Sequence, residues 1–225
     1  MRRIPALVTF VASSLAAPVA AQSLSDVPTV WDATLGAGSG ATTVSGAISR
    51  STYLGTSDKL RVGFLLRGTF ETGTMDLDPV DPRGLGTPDR MRTPTGSAMI
   101  NVGVNFGYEA TPRFMVGANF DLFGITVGQG QNATLTNAGS GGETAVVPVK
   151  PDSPNLFEGG GDKGSLNSEL FVGWALNDRY TIRGGLSRQL VQYRLSGAQA
   201  ITASSTNYSR TANVIFIGLR YTPPQ

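Results

Sequence analysis

Residues 100–124 read INVGVNFGYEATPRFMVGANFDLFG, and this stretch decides how the fold is interpreted. Large apolar side chains occupy every second position up to Tyr108, a turn follows at Ala110-Thr111-Pro112, and the alternation then resumes. The residues between the apolar ones are mostly Gly, Asn and Asp. Because successive side chains of a strand point to opposite faces, the pattern predicts a β-hairpin with one apolar face and one polar or tightly packed face.

The same alternation recurs along the chain. It predicts two weaker strands at 29–38 and 44–54, followed by six clear ones. The clear strands are predicted at 59–71, 97–109, 113–125, 165–176, 179–195 and 207–221. The connections between them are alternately short and long, and the chain has 29 glycines without sustained helical periodicity. These features predict an all-β protein, an eight-stranded antiparallel up-and-down barrel.

Some positions depart from the alternation. The first connection, at 39–43, is short although its place in the strand order calls for a long loop. Arg188 falls on the apolar face of its strand, and a β-bulge near Ser187 is predicted to restore the pattern. That bulge moves three later residues to the apolar face: Val191, Tyr193 and Leu195. In the last strand, Val214 and Phe216 fall on the polar face.

The N-terminus has the features of a secretory signal. Two arginines precede an apolar run at 6–17, and Val19 and Ala21 occupy the two positions that a signal peptidase reads. The run is shorter than the roughly 20 apolar residues that a transmembrane helix needs. We therefore expect a signal peptide at 1–21 and a barrel formed by 22–225.

Composition excludes several classes of function. The 18 basic residues include two in the predicted signal, so the predicted mature chain carries 16 basic and 16 acidic residues. That balance leaves no clustered positive surface for a nucleic-acid partner. The chain has no cysteine for disulfides and no histidine, the side chain best suited to proton transfer near neutral pH. Although Asp121 and Glu169 are carboxylates, we expect no enzymatic activity, no cofactor and no metal site.

Alternation alone does not show which face lines the interior, because a soluble lipid-carrying barrel alternates equally well. Aromatic residues gather at the end that carries the short turns and both termini, as in the aromatic girdle of a membrane barrel. The predicted girdle consists of Trp31, Tyr108, Phe114, Trp174, Tyr180 and Tyr221. The other face is rich in Gly and Asn with charges of both signs. Short turns opposite long loops also match the outer-membrane pattern, so we expect the apolar face to contact lipid.

Charges on the polar face are then predicted to fill the lumen. An eight-stranded barrel has an interior only wide enough for side chains, and buried charges persist only when they are paired. The predicted lumen network consists of Arg61, Arg67, Asp121, Glu169, Arg183 and Arg220. We interpret this network as a structural plug and not as a catalytic site.

Over the whole predicted mature length, the chain resembles the small outer-membrane barrels of the OmpA, OmpX, OmpW and opacity-protein type. Such proteins usually end in polar-x-Gly-x-x-aromatic-x-aromatic. In VIFIGLRYTPPQ, Gly218 and Tyr221 match this pattern, whereas Phe216 and Pro223 depart from it. The resemblance implies a porin-like barrel in the outer membrane of a Gram-negative bacterium, with membrane lipid and the outer-membrane assembly machinery as partners.

Three roles follow from this interpretation. The first is a structural or surface-interaction barrel whose long external loops face an unidentified partner at the cell surface. The second is a narrow pore or transporter for small hydrophobic molecules, as in the OmpW type. The third is a soluble periplasmic lipid-binding barrel.

Overall fold

The computed structural model describes residues 28–55, 59–80, 89–137, 143–157, 163–196 and 205–224. The predicted signal peptide at 1–21 lies outside these described residues. The strands are β1 (Thr29–Gly38), β2 (Ala41–Leu54), β3 (Leu60–Pro79), β4 (Arg90–Thr111), β5 (Phe114–Val127), β6 (Gln131–Asn137), β7 (Glu143–Pro151), β8 (Asn155–Leu156), β9 (Leu166–Ala175), β10 (Tyr180–Leu195) and β11 (Asn207–Tyr221). Within the described ranges, no helix is long and apolar enough to cross a membrane.

Eight of the strands form a closed antiparallel ring, which confirms the predicted fold class. We call this ring, in the order β1-β2-β3-β4-β5-β9-β10-β11 with β11 paired back to β1, the main barrel. Three short turns and both described termini lie at one end, which we call the short-turn end, and the long connections lie at the other. The exception is the β1–β2 turn, where Ser39 and Gly40 have positive φ angles of 47° and 78°. Two such residues make the tight type I′ turn of a two-residue hairpin.

The apolar face of the main barrel points outward. On β3, the side chains of Leu60, Phe64, Leu66 and Phe70 are exposed, Phe64 to 72%, while that of Arg67 is buried. The other strands of the main barrel alternate in the same sense, so an apolar band surrounds a largely polar interior. On β3 the band covers residues 60–70, close to the ~9–11 residues with which a tilted strand crosses a bilayer.

Beyond the apolar band, the ring narrows from eight strands to six. Because β1 and β2 end at their tight turn, β11 pairs directly with β3 through Tyr208 with Pro79 and Ser209 with Asp78. Where β5 and β9 end, the β6–β7 hairpin replaces them between β4 and β10. We call the closed ring of β3, β4, β6, β7, β10 and β11 the upper ring.

The upper ring has the opposite polarity to the main barrel. Its interior is formed by Met75, Leu77, Met91, Ala133, Leu135, Val147, Val149, Val191, Tyr193, Leu195, Tyr208 and Ala212, all buried. Its outer surface carries charges, including Asp76 opposite Arg92 at 3.9 Å and Asp78 opposite Arg90 at 3.8 Å. The same strands therefore carry apolar side chains outward in the main barrel and inward in the upper ring.

Several strands are longer than predicted because they continue into the upper ring. Strand β3 passes its predicted end at residue 71 and reaches Pro79, and β4 begins at Arg90 and not at residue 97. The valines at 146, 147 and 149 lie in β7.

The predicted bulge near Ser187 is wrong. Strand β10 pairs with β11 from Tyr180 to Arg194 without a shift of register. The three residues that the bulge was meant to turn outward, Val191, Tyr193 and Leu195, point inward and are buried. The prediction failed because the interior changes from polar to apolar along this strand, so the pattern needs no bulge. A register shift occurs instead in β5 at Leu122, where Gly103 pairs with Asp121 but Val102 pairs with Phe123.

Candidate functional site

The lumen of the main barrel holds three arginines and three carboxylates in direct contact. Opposite charges alternate along the chain Asp121, Arg67, Glu169, Arg183, Asp32 and Arg220. We call these six residues the lumen network. None is more than 8% exposed, and each lies at an inward position of its strand. The alternation of the strands therefore places all six side chains in one space.

Arg67 anchors the part of the network nearest the upper ring. Its Nε lies 3.1 Å from Asp121 Oδ1, its Nη1 lies 2.6 Å from Glu169 Oε1, and its Nη2 donates to the Asn167 carbonyl at 2.8 Å. The other Asp121 oxygen, Oδ2, accepts from Asn101 Nδ2 at 2.7 Å and from the Asn167 backbone N–H at 3.0 Å. Both Asp121 oxygens are thus engaged inside the lumen.

Arg183 connects the two halves of the network. It lies 3.5 Å from Glu169 Oε2 through Nη2 and 2.6 Å from Asp32 Oδ1 through Nη1. Its guanidinium also stacks 3.7 Å from the centre of the Phe171 ring. Arg220 completes the chain, because its Nε and Nη2 each lie 3.1 Å from an Asp32 oxygen.

This arrangement is suited to filling space and not to reacting. Three positive and three negative charges cancel, and buried charges of this kind are stable only when paired and hydrogen-bonded. Asp121 and Glu169, the two carboxylates considered for catalysis, are each held by arginine and by an asparagine amide. Among the described residues, no group of three or more acidic, histidine or cysteine side chains is placed to hold a metal ion.

Five residues of the sequence-predicted network lie in this chain of contacts, and Arg61 lies apart from it. Arg61 pairs with Glu109 at 3.2 Å near the short-turn end, where its side chain is 20% exposed. It meets the lumen network only through a shared sulfur, since Arg61 Nη2 and Arg220 Nη1 both lie 3.6 Å from Met115 Sδ. These three side chains border a polar pocket of about 370 Å³ that lies at the short-turn end.

Sequence reasoning missed Asp32, which two arginines share. Asp32 lies in β1, a weakly predicted strand, between the outward side chains of Trp31 and Ala33. It also pairs directly with Arg220 across β1 and β11. Asp32 could have been predicted from the sequence, because it is an acidic residue at an inward position of a short alternating strand.

The long connection between β7 and β9 supplies a further missed residue, Asn155. Its Nδ2 donates to Asn101 Oδ1 at 2.7 Å, and its Oδ1 accepts from Thr126 Oγ1 at 2.7 Å and from the Ser165 backbone N–H at 2.8 Å. With 1% of its surface exposed, Asn155 closes the lumen between Asp121 and the upper ring. No local pattern marks an asparagine of the two-residue strand β8 for this position.

The predicted girdle residues all lie at the short-turn end. Trp31 pairs with Tyr221, and Phe114 pairs with Trp174. The rings of Tyr180 and Tyr221 lie 5.2 Å apart, and both tryptophans are half-exposed on the outer surface. The structure thus places these aromatic side chains at one level around the main barrel.

Among solved structures, the chain is similar to Neisserial surface protein A at 10% identity and a TM-score of 0.37, over 88% of this chain and 96% of that one. It is similar to Ail, the attachment invasion locus protein of Yersinia pestis, at 7% identity and a TM-score of 0.32, over 87% and 97%. The outer membrane protease OmpT of Escherichia coli gives 9% identity and a TM-score of 0.42, over 81% and 64%.

No protein-family model and no curated protein matches the sequence. At such low identity, the similarity to solved structures concerns the fold alone.

Proposed function

We propose that the protein is an outer-membrane barrel of a Gram-negative bacterium with a structural or surface-interaction role. The apolar band of the main barrel is the surface that hydrocarbon favours, and a closed ring satisfies the backbone polar groups that lipid cannot. The aromatic side chains at the short-turn end lie where a girdle meets the membrane interface. The charged outer surface of the upper ring suits water, so the long connections face the exterior.

The observation that carries the proposal is that the interior is closed by two successive layers. The lumen network fills the main barrel with paired charges, and Asn155 lies over it. The apolar core of the upper ring fills the interior a second time, further along the barrel axis. A molecule entering from either end meets packed side chains, so the barrel supports display of its outer part and not passage through it.

The described residues do not favour the two other roles. Phe64 and Leu170 are 72% and 62% exposed on the outside, whereas a soluble lipid carrier needs such side chains to line its interior. An apolar groove of about 540 Å³ lies on the outer face around Gly184 and Leu186. Its lining includes Phe171, and the Arg183 guanidinium of the lumen network stacks on that ring.

Two measurements test this proposal, one on the mature chain refolded into a planar bilayer and one on fractionated cells. In a planar bilayer we expect no steady current, because the lumen is filled. In fractionated cells we expect the protein to stay with the outer membrane after carbonate extraction and to shift in gel mobility on heating. Sustained step currents contradict the closed lumen, and a folded monomer in buffer without detergent contradicts the membrane location.

A further inference from the structure

Glu71 is a buried acid that the lumen network does not use. Its side chain is 0% exposed, and neither carboxyl oxygen has a hydrogen-bond partner among the described residues. Along β3 it lies between Arg67 of the lumen network and Met75 of the upper-ring core, just beyond the apolar band. An ionised carboxyl without a partner is costly to bury, so its presence at this junction needs a physical reason.

The groups around Glu71 are hydroxyls and apolar side chains. Across the sheet it pairs with Thr43 of β2 and Ser97 of β4, and the Thr95 hydroxyl follows on the same face of β4. The Thr95 hydroxyl has no hydrogen-bond partner within the part of the chain that the structure describes. Tyr193 of β10 lies close to Ser97, and its phenol interacts electrostatically with Glu71.

The basic group that precedes Glu71 on its face of β3 is already engaged. Arg67, on the same face of β3, is held by Asp121 and Glu169. Towards β11, the side chain next to Thr43 is Val214, which carries no charge. Tyr193 of β10 is a titratable group that interacts electrostatically with Glu71.

Burial makes Glu71 titrate near neutral pH. It raises the pKa of Glu71 from 4.5 to about 7, and it also raises the pKa of the Tyr193 phenol above its ordinary value of 10. Tyr193 thus stays neutral in the pH range in which Glu71 loses its proton. The pKa of Glu71 is higher in the folded protein than in the unfolded chain. The protonated Glu71 therefore contributes its full stabilisation below pH 4.5, and this stabilisation is lost as the pH rises through about 7.

The upper ring is closed by short seams at this level. Two residue pairs join β11 to β3, three join β4 to β6, and three join β7 to β10. By contrast, β10 and β11 share 15 pairs. Tyr193, which interacts electrostatically with Glu71, is the first residue of the β7–β10 seam and pairs there with Pro151.

We propose that Glu71 is a buried proton-binding site whose occupancy controls the closure of the upper ring. With the proton bound, the carboxyl is neutral and the apolar core above it packs without water. When the proton passes to solvent, the carboxylate draws water to the level of Ser97 and Tyr193 and loosens the β7–β10 seam. This inference goes beyond a surface role, because it makes the external part of the barrel respond to pH.

Single cysteines provide the test, because the chain contains none of its own. Val147 points into the upper ring and is 0% exposed, whereas its neighbour Val146 is 68% exposed on the outer surface. We would refold Val147→Cys and Val146→Cys separately into lipid vesicles and measure their rates of reaction with a maleimide. The ratio of the two rates removes the pH dependence that the two thiols share, and comparison with the Glu71→Gln background removes the remainder. Both cysteine variants are also prepared in combination with Glu71→Gln, which keeps the shape of the side chain but removes the group that binds the proton.

We expect the ratio of inner to outer labelling to rise at least about tenfold between about pH 5.5 and about pH 8.5 in the Glu71 protein. In the Glu71→Gln pair we expect it to change by less than about twofold, because the amide does not ionise. An equal rise in both backgrounds overturns the proposal. A flat ratio in the Glu71 protein overturns it as well, whether or not the Gln variant folds.

Discussion

Glu169 shows how much depends on one side chain in a lumen of paired charges. It lies between Arg67 at 2.6 Å and Arg183 at 3.5 Å and also accepts from Asn119 Nδ2 at 2.7 Å. Removing it leaves both guanidiniums short of a counter-charge in a space without free solvent. The network is therefore most sensitive where one acid serves two bases.

Glu169→Ala should destabilise the barrel by about 3–5 kcal/mol, because it leaves three buried arginines with only two carboxylates. A urea titration of the protein refolded in lipid measures this loss. The matched control is Glu109→Ala, which breaks the Arg61–Glu109 pair, where the side chains are 20% and 31% exposed. Exposed pairs contribute ~1 kcal/mol or less, so the control should move the midpoint little. An unchanged midpoint for Glu169→Ala contradicts the network.

At the scale of residues, the alternation of side chains along a strand predicted most of the charged residues in the lumen. It did not predict Asp32 or Asn155. Arg67, Asp121 and Glu169 belong to clearly alternating strands, so their inward direction followed from period 2. Asp32 was not predicted because its strand, β1, is only weakly marked in the sequence. Asn155 was not predicted because β8 has two residues, too few to show an alternating pattern. A side chain that reaches the lumen from so short a strand is positioned by contacts distant in sequence, such as that with Asn101.

At the scale of elements, the tight β1–β2 turn determines how the upper ring closes. Because these two strands stop at Gly38 and Ala41, β11 comes within pairing distance of β3 beyond them. The turn itself depends on Gly40, whose φ of 78° disfavours a side chain, and a Cβ added there meets the Thr74 carbonyl oxygen at 2.9 Å. The short first connection seen in the sequence is thus a structural requirement.

Gly40→Ala should cost about 1–2 kcal/mol, the usual penalty of a left-handed conformation for a residue with a Cβ. Gly68→Ala is the control, since an added Cβ there meets nothing within 4 Å and the backbone φ is not positive. We expect the control to stay within about 0.5 kcal/mol of the parent protein in urea titrations. Equal effects of the two substitutions contradict a special role for the turn.

The bulge in β5 shows the same dependence on context. It lets Asp121 point into the lumen while Phe123 and Ile125 point outward, although all three share the same parity. Two consecutive apolar residues, Leu122 and Phe123, mark the place in the sequence. From the alternation alone, two consecutive apolar residues at a bulge cannot be distinguished from the end of a strand.

At the scale of the whole molecule, two cores of opposite polarity are stacked along one axis. The main barrel is polar inside and apolar outside, and the upper ring is apolar inside and polar outside. They share β3, β4, β10 and β11 but not their packed side chains. We therefore expect damage to the upper-ring core to leave the main barrel folded.

Val147→Asp tests this expectation, because it places a charge in the apolar interior of the upper ring, which costs several kcal/mol. It should make the upper ring readily cleaved by trypsin while the remaining protein keeps its heat-dependent shift in gel mobility. Val146→Asp, on the outer surface one residue earlier, should leave both properties unchanged. Loss of the heat shift in Val147→Asp alone shows instead that the two cores fold as one unit.

The sequence by itself determined the eight alternating strands, the short-turn end and most of the paired charges, because period 2 and turn chemistry are local. Only the tertiary structure decided that the ring narrows to six strands, that its interior changes from ionic to apolar, and that Glu71 lies at the junction. Which face of a strand is buried depends on the surroundings at each level, and those surroundings are built by pairings between segments far apart in the chain.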